Sequence, residues 1–489
     1  MRRLHLLILG VILLIGLFFR TYQIIGRFEF AHDGDLYSWI VKDILVNHHF
    51  RLIGQLTSAP GIFVGPLFYY LLTPFFLLTK MDPVGALLPV TIIGLITIFS
   101  YYFVLSKLFT KEVGLIAAFL YAVLISTVTS DRWVVPTVTT SLWAIWYFYT
   151  LLNLARGNFF ILPLLGILIG LIWHVHIALI PTLVAVPVAL LISKKIPNRK
   201  QILSFIFTLF VTSLPLIIFE LRHGFGQTLS LVGNLDSAKT GPDGLYKFQL
   251  VLEMITKNTN TLFFAPQSFI LTNNVVFILA ILLSAFFLIK KKLLSLKDLL
   301  LFYSWIIGVV LFFSISSSPI SEYYFASLDA IFLIIASMVL YLLFKSSKFG
   351  RLLTLSILSL ILIKNAYFLI NQDYYNKGYI ERKALVEYIS KDAKSRGFPC
   401  IGISYITTPG ENTGFRYFFY LKGEHLVHPS VEIPVYNIVI PEELSKEVNQ
   451  KFGHIGLIPP TSVPPKNVIE KSCQIPDTNL SDSVFGYVE

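Results

Sequence analysis

Long apolar runs recur along this chain and limit its possible folds more than any other feature. Residues 4–19, 84–106 and 325–344, for example, are almost entirely apolar. About 20 such residues in a helix cross the hydrocarbon core of a bilayer. The chain is 55% hydrophobic and 14% charged, whereas soluble domains are about 25% charged. The sequence therefore predicts a polytopic α-helical membrane protein.

The basic residues predict how these helices are oriented. Lys and Arg collect in short segments between alternate apolar runs, as they do in cytoplasmic loops. Placing every such cluster inside gives about eleven transmembrane helices, at residues 4–19, 84–106, 113–129, 136–154, 159–173, 177–192, 201–219, 275–289, 299–313, 325–344 and 352–370. This predicts a multi-pass plasma-membrane protein with a cytoplasmic N-terminus and an external C-terminal part. The net charge of +11 follows from these loops and does not indicate a nucleic-acid partner.

Two long segments are predicted to lie outside. Residues 62–79 are apolar but are interrupted by Gly65-Pro66 and Pro74. A crossing there would put the later basic clusters on the outer side, so we predict a helix embedded in the outer leaflet. It belongs to an external loop, residues 26–83, which we assign with the membrane helices to one domain, residues 1–372. A second external loop is predicted to continue to about residue 274.

The most conspicuous polar motif of the chain lies in the first external loop. His32, Asp33, Gly34 and Asp35 are followed by apolar residues at helical spacing up to residue 45. This pattern predicts an amphipathic helix along the membrane surface with two carboxylates at its start. Capping of the helix N-terminus alone would explain one aspartate, but not the whole motif.

Further polar residues outside the basic clusters fall at the external helix ends in this topology. They are Asp131, His174, His176, Glu220, Arg222, His223, Glu322, Tyr323 and Tyr324. Ionisable groups at membrane depth are costly and are often retained for function. Structural explanations are also open: an ion pair between Asp131 and Arg132, hydrogen-bonded histidines, and an aromatic belt at the interface.

An outer face of this composition suits chemistry on a phosphate-linked substrate. Carboxylates and histidines act as general bases or hold a divalent cation, and Arg and Tyr bind phosphate. Because nucleotide sugars are not normally available outside the cell, an outward-facing transferase would use a lipid-phosphate-linked donor. The alternative is a carrier or flippase that binds a polyprenyl-linked glycan without chemistry.

The layout resembles the membrane glycosyltransferases of the GT-C superfold, close to family 39, the protein O-mannosyltransferases and the aminoarabinose transferases. The resemblance rests on the first helix, the acidic motif at Asp33 and Asp35, the stretch 65–70 with its proline, and Ser130-Asp131-Arg132-Trp133. It implies a hexosyl- or pentosyltransferase of the cell envelope that takes a sugar from a polyprenyl phosphate. The acceptor is expected to be a glycan, a lipid or a protein. Relatives carry adjacent Asp-Glu in the acidic motif, and often Glu or Lys before the proline, where this chain has Val64-Gly65.

On this basis we assign expected roles to the outward-facing residues. Asp33 and Asp35 are the expected catalytic carboxylates, with Asp33 as the general base. Acceptor or metal positioning is assigned to four residues, Asp131, His174, His176 and Glu220. A divalent cation, if one binds, is expected at Asp35 and Asp131. Donor-phosphate binding is assigned to Arg222, His223, Tyr323 and Tyr324.

The C-terminal part, residues 373–489, is polar and predicts a small extracytoplasmic α/β domain. Its pattern predicts helices at 379–396 and 441–452 and strands at 400–406, 435–440 and 454–458. Cys400 and Cys473, the only cysteines of the chain, both lie here. An oxidising exterior permits a disulfide between them, and two separate buried thiols are the alternative.

Overall fold

The structure, a computed structural model, describes residues 2–236, 244–265, 275–316, 320–372, 375–478 and 486–487. It is mainly helical. The α-helices are α1 (Arg2–Thr21), α2 (His32–Val46), α3 (Leu67–Leu78), α4 (Leu87–Leu108), α5 (Lys111–Val123), α6 (Ile125–Arg132), α7 (Thr140–Ala155), α8 (Leu162–Val175), α9 (Ala185–Ser193), α10 (Arg199–Arg222), α11 (Gly226–Asp236), α12 (Gly244–Phe264), α13 (Val275–Lys290), α14 (Leu296–Ile315), α15 (Ala326–Ser346), α16 (Lys348–Asn371), α17 (Tyr379–Ser395), α18 (Arg416–Lys422) and α19 (Lys466–Ser472). Short 3₁₀ helices lie at Pro83–Ala86, Pro136–Thr139, Phe159–Ile161, Ile177–Val184, Glu322–Phe325 and Glu442–Leu444.

The chain divides into two compact units. The membrane unit comprises Met1–Tyr22, Leu56–Phe68 and Val90–Gln372, and the C-terminal unit comprises Gln23–Gln55, Tyr69–Pro89 and Asp373–Glu489. The sequence pattern predicts that residues 23–55 and 69–89 belong to the membrane domain. In the structure these residues cluster with the C-terminal part, so the acidic motif belongs to that unit.

Apolar helices of membrane-spanning length dominate the first unit. Within the described residues, six helices are long and apolar enough to cross a bilayer, and a seventh span results if α5 and α6 count as one. The predicted number of about eleven crossings stays a prediction. Helix α3 has only 12 residues and contains Pro74. At 1.5 Å per residue it is about 18 Å long, short of the roughly 30 Å core, which is consistent with the prediction that this run does not cross.

The transmembrane helix predicted at residues 113–129 is broken in the structure. The helix breaks at Leu124, and α5 and α6 meet at an angle of 64°. Leu124 has an extended conformation, and the side-chain oxygen of Asn365 accepts a hydrogen bond from the backbone N–H of Ile125 at 3.0 Å. Because this distant side chain satisfies the N–H that the break exposes, the bend needs neither Gly nor Pro.

The external loop predicted to continue to about residue 274 contains helices that the sequence did not predict. Helices α11 and α12 occupy much of this stretch. Part of α12 packs inside the membrane unit, where Val251, Ile255 and Leu262 join the hydrophobic core. These apolar residues are separated by polar ones, so no continuous apolar run marks the helix.

The C-terminal unit contains a four-stranded sheet. Its strands are β1 (Gly402–Thr407), β2 (Val435–Ile440), β3 (Gln450–Phe452) and β4 (Ile455–Ile458), in the spatial order β1-β2-β4-β3. β1 and β2 are parallel, and the other neighbours are antiparallel. The predicted helix at 441–452 is wrong, because residues 450–452 pair with β4 as a hairpin. The backbone N–H of Asn449 likewise donates to Leu457 O, which commits this stretch to the sheet.

A disulfide joins Cys400 and Cys473, with their Cα atoms 5.6 Å apart, as one of the two alternatives predicted. Both cysteines pack with Val427 and Ile433 in a small apolar cluster. Beyond the bridge, the backbone N–H of Thr478 donates to Leu426 O at 2.8 Å. The disulfide therefore holds the C-terminal segment against the body of this unit.

Candidate functional site

Helix α2 carries the acidic motif, and its two aspartates have different surroundings. The Asp33 side chain is 35% exposed and lies 3.5 Å from His32 Nδ1. Asp35 is 1% exposed, and its Oδ1 accepts a hydrogen bond from the backbone N–H of Tyr417 at 2.9 Å. Burial raises the pKa of Asp35 to about 6, against the lowering effects of this hydrogen bond and of Arg416. Asp33 is therefore accessible to a substrate, whereas Asp35 joins α2 to the start of α18.

The sequence predicted that α2 lies along a membrane surface, but in the structure the helix is buried within its unit. Residues 34–43 are buried, including the polar Lys42 and Asp43. Aromatic residues of α18 cover this helix: the Trp39 ring lies 5.5 Å from Tyr417 and 5.2 Å from Tyr420. Contacts between distant parts of the sequence thus replace the lipid surface that the amphipathic pattern predicted.

A second polar group in this unit surrounds Asp82. Its two carboxylate oxygens accept hydrogen bonds from the Tyr379 hydroxyl and from Lys383 Nζ, each at 2.6 Å. The Tyr37 hydroxyl is buried without a hydrogen-bond partner among the described residues. Burial, followed by the charges of Asp33 and Asp82, raises the pKa of Tyr37 well above its usual value. Tyr37 therefore keeps its proton at neutral pH and can act as a hydrogen-bond donor. No sequence motif marks Tyr37, Asp82 or Lys383, because only folding brings them together.

Asp131 forms a buried ion pair, but not with the predicted partner. Its Oδ2 accepts hydrogen bonds from Arg20 Nε at 2.8 Å and Nη2 at 2.5 Å, and its Oδ1 accepts one from the Tyr121 hydroxyl at 2.8 Å. The Arg132 guanidinium instead donates to the backbone carbonyls of Phe19 and Tyr22. Both oxygens of Asp131 are thus occupied.

His174 lies against the glycine that precedes Pro66. Its Nε2 is 3.0 Å from Thr212 O, and its Nδ1 is 3.4 Å from the backbone N of Leu67. A Cβ atom at position 65 would overlap the imidazole ring, and Gly65 N donates to Trp173 O at 2.6 Å. Gly65 is therefore required for this close approach, which accounts for the absence of a Glu or Lys at that position.

His176 contacts two of the residues expected to bind phosphate. Its ring lies 5.2 Å from that of Tyr323 and 5.3 Å from that of Tyr324, and its Nδ1 accepts from Ala178 N at 3.1 Å. The Tyr324 hydroxyl lies 2.6 Å from Ser58 Oγ. Tyr324 is buried, whereas Tyr323 is 38% exposed. Of the two tyrosines, Tyr323 is the more accessible to a ligand.

The residues at the end of α10 also differ in exposure. Glu220 is buried, and its two carboxylate oxygens accept hydrogen bonds from the backbone N–H groups of Gln227 and Thr228, so it caps the first turn of α11. Arg222 and His223 are exposed. His223 Nδ1 lies 2.8 Å from Phe219 O. The helix ends at Arg222, and His223 is the residue that follows it.

The membrane unit contains a partly open cavity of about 590 Å³, within the size range of small-molecule sites. Asp131 and Tyr323 line it, together with Asp329, Asn258 and Trp133. Among the described residues, eight serines and threonines also face it: Ser126, Thr127, Ser130, Thr137, Thr140, Ser141, Thr261 and Ser321. The sequence analysis missed Asp329, although a lone acid within the apolar run 325–344 is a detectable signal.

The contacts of the two predicted cation ligands do not favour a metal role. The Asp131 carboxylate is already neutralised by Arg20, and Asp35 is buried against a backbone N–H. Elsewhere in the described residues, Glu442, Glu443 and His454 bring ligand atoms within 4.8 Å of one another. Lys451 Nζ lies 3.7 Å from Glu442 there, and neither acid belongs to the predicted site.

Similar proteins are known for part of the sequence and for the fold. Residues 63–219 match the family described as dolichyl-phosphate-mannose-protein mannosyltransferase. ArnT from Cupriavidus metallidurans bound to undecaprenyl phosphate has a similar structure, with a TM-score of 0.57 and 11% identity over 94% of this chain and 99% of that one. Its apo state matches with a TM-score of 0.55 and 10% identity over the same shares.

The oligosaccharyltransferase of Archaeoglobus fulgidus in its apo form matches with a TM-score of 0.49 and 15% identity over 87% of this chain. This chain spans 65% of the length of that enzyme. No curated protein matches the sequence. The chain has the GT-C fold of the membrane glycosyltransferases, and within it residues 63–219 are similar to the dolichyl-phosphate-mannose-protein mannosyltransferase family.

Proposed function

We propose that this protein is a glycosyltransferase that transfers a sugar from a polyprenyl-phosphate donor to an acceptor at the outer face of the membrane. The observation that carries the proposal is the combination of the family match with a fold shared with ArnT, a protein whose structure contains undecaprenyl phosphate. These comparisons support the transferase and not the carrier or flippase. The proposed donor sugar is a hexose or a pentose.

Asp33 is the proposed general base. It is the exposed member of the acidic pair, so an acceptor hydroxyl can reach it. Its carboxylate takes the proton of that hydroxyl as the oxygen bonds to the anomeric carbon of the donor sugar. The bond between that carbon and the phosphate oxygen breaks, and the polyprenyl phosphate leaves with the electron pair. Asp35 supports Asp33 by fixing α2 through the hydrogen bond from Tyr417.

Exposed groups of the membrane unit are proposed to bind the donor phosphate. Arg222, His223 and Tyr323 are accessible, and a guanidinium, an imidazole and a phenol all hydrogen-bond phosphate oxygens. Tyr324 acts through Tyr323, because its own hydroxyl is engaged with Ser58. For Asp131, His174, His176 and Glu220 we propose positioning roles, because each is held by contacts within the unit.

Transfer from a radiolabelled polyprenyl-phosphate sugar by purified protein tests the proposal. We expect Asp33→Asn to lower the rate by about 10²–10⁴-fold, the usual contribution of a general base. Asp43→Asn is the matched control, because Asp43 lies on the same helix but is paired with Arg51 and His49. Compared at equal amounts of folded protein, as measured by thermal melting, it should retain most of the activity. Rates for Asp33→Asn within threefold of the parent would refute the role of Asp33. Repeating the assay with EDTA tests the predicted divalent cation.

A further inference from the structure

A short segment of the C-terminal unit, residues 411–417, contacts the acidic motif directly. The segment leads into α18, which begins at Arg416. The backbone groups of Gly414 and Tyr417 both hydrogen-bond the carboxylate of Asp35. A segment that lies far along the chain therefore holds one of the two carboxylates of the motif.

Gly414 lets this segment lie against the residues that lead into the motif. Its φ is +81°, a left-handed conformation that side chains other than glycine rarely adopt. A Cβ atom there would lie 2.9 Å from Phe30 O and 3.2 Å from Ala31 Cα. Gly410 also has a positive φ, +87°, but a Cβ atom there would meet no described atom within 4 Å. At position 414, unlike position 410, glycine is thus needed for the contact as well as for the backbone conformation.

Arg382, in the first turn of α17, holds the same segment. It is fully buried; its Nη1 donates to Thr413 O, and its Nε donates to Lys377 O at 3.0 Å. Its Nη2 lies 3.7 Å from Glu411 Oε2, and the guanidinium carbon lies 4.6 Å from the centroid of the Phe415 ring. One planar guanidinium thus joins three residues of the segment to α17. The single ammonium of a lysine cannot reproduce this geometry.

We propose that Arg382 and Gly414 are positioning residues for the transfer reaction, because they fix segment 411–417 and with it the acidic motif that presents Asp33 to the acceptor. The inference rests on the proposed glycosyltransferase function and adds to it the part of the C-terminal unit on which the rate depends. Asp33 and Asp35 share the first turn of α2, so a displacement of Asp35 also moves Asp33. A misplacement of about 1 Å can cost about 10²-fold in rate. Loss of either contact should therefore slow the chemical step without weakening donor binding.

Two pairs of variants, each with the same substitution, test this inference. Arg382→Lys keeps the positive charge but loses the planar fork. Its control is Arg396→Lys, because Arg396 follows the last residue of α17 and donates to Pro460 O. Gly414→Ala places a Cβ atom against the residues before the motif. Its control is Gly410→Ala, which imposes the same left-handed strain where a Cβ atom meets no described atom.

Transfer kinetics separate positioning from a general loss of stability. The donor is radiolabelled polyprenyl-phosphate mannose, a membrane extract is the source of the acceptor, and rates are compared at equal amounts of folded protein. We expect Arg382→Lys and Gly414→Ala to lower kcat about ten- to a hundredfold. The donor KM should stay within about threefold of the parent, because the proposed phosphate ligands belong to the membrane unit. A purely structural role would lower the amount of folded protein and leave kcat per folded molecule unchanged. Both controls should keep kcat within about threefold of the parent.

Hydrogen–deuterium exchange gives a second readout that needs no substrate. The backbone amides of residues 30–36 should exchange about tenfold faster in Arg382→Lys and Gly414→Ala than in the parent, and at the parent's rate in both controls. Unchanged exchange in these two variants would overturn the inference, and so would an equal loss of kcat in each variant and its control. An active parent whose kcat is matched by both variants would refute the positioning role alone. A parent that transferred no sugar would instead refute the proposed function itself.

Discussion

Single residues of this protein owe their properties to partners far away in the sequence. Asp33 and Asp35 are separated only by Gly34, yet one is accessible and the other is buried against Tyr417. Arg20 ends the first apolar run, yet it is fully buried and neutralises Asp131. In both cases the folded environment decides whether a carboxylate is available for chemistry.

The buried Asp35 makes stability depend on pH. Its pKa is raised from 3.8 to about 6, so the folded state disfavours the ionised form. The stabilising contribution of the protonated form is complete below about pH 4 and is lost as the pH rises through 6. A tenfold change in acid dissociation is worth about 1.4 kcal/mol, so the loss approaches about 3 kcal/mol.

We expect Asp35→Asn to remove this dependence, because Asn can still accept the hydrogen bond from Tyr417. Melting temperatures of parent and variant in detergent, measured from pH 4 to pH 8, give the test. The melting temperature of the parent should fall relative to that of the variant as the pH rises. A constant difference between the two would show that Asp35 does not titrate in this range.

The Arg20–Asp131 pair allows a prediction that separates stability from catalysis. Removing one partner of a buried ion pair costs about 3–5 kcal/mol, whereas replacing both costs far less. Arg20→Met and Asp131→Asn should each lower the melting temperature strongly, and Arg20→Met with Asp131→Leu should restore much of it. Transfer activity that returns together with stability would identify the pair as structural. Activity lost in the stable double variant would instead assign Asp131 a direct role.

At the scale of elements, the sequence predicted the helices and strands that hydropathy alone determines. The apolar runs coincide with helices such as α4, α10 and α16, and strand β2 has its predicted bounds. Leu124 carries no signal for a break, because the bend depends on Asn365. Likewise α18 is short and is held by packing on α2, which no local pattern reveals. The candidate site was predictable to the same extent: Asp33 stands out as a motif, whereas Tyr37, Asp82 and Lys383 converge only in the fold.

The disulfide allows a prediction for the C-terminal unit. It closes a loop with a sequence separation of 73, and in the chain-entropy model such a cross-link stabilises the fold by about 4 kcal/mol. Cys400→Ser with Cys473→Ser should therefore lower the melting temperature of the protein, and reduction of the parent should have the same effect. Reduction should not change the melting temperature of the double variant, which serves as the control. Identical melting curves for the oxidised and reduced parent would show that the bridge does not stabilise this unit.

At the scale of the whole molecule, the distribution of charge predicts a membrane topology. Lys80 and Lys194 are both exposed, and the sequence predicts that they lie on opposite sides of the membrane. We expect a membrane-impermeant thiol reagent on intact cells to label Lys80→Cys but not Lys194→Cys, and permeabilisation to expose the second. The native cysteines do not interfere, because both are in the disulfide. Labelling of Lys80→Cys only after permeabilisation would make residues 62–79 a true crossing and invert the assignments that follow it.

The composition of the C-terminal unit has a consequence for the engineering of hybrid enzymes. Residues 23–55 and 69–89 form a compact body with residues 373–489, although more than 280 positions lie between residues 89 and 373. A chimera that transplanted only the C-terminal residues from a homologue would separate Asp35 from its native Tyr417. Three segments would have to be exchanged together for the graft to keep its interior. Recombination between homologues is therefore expected to yield working hybrids only when it respects this discontinuous unit.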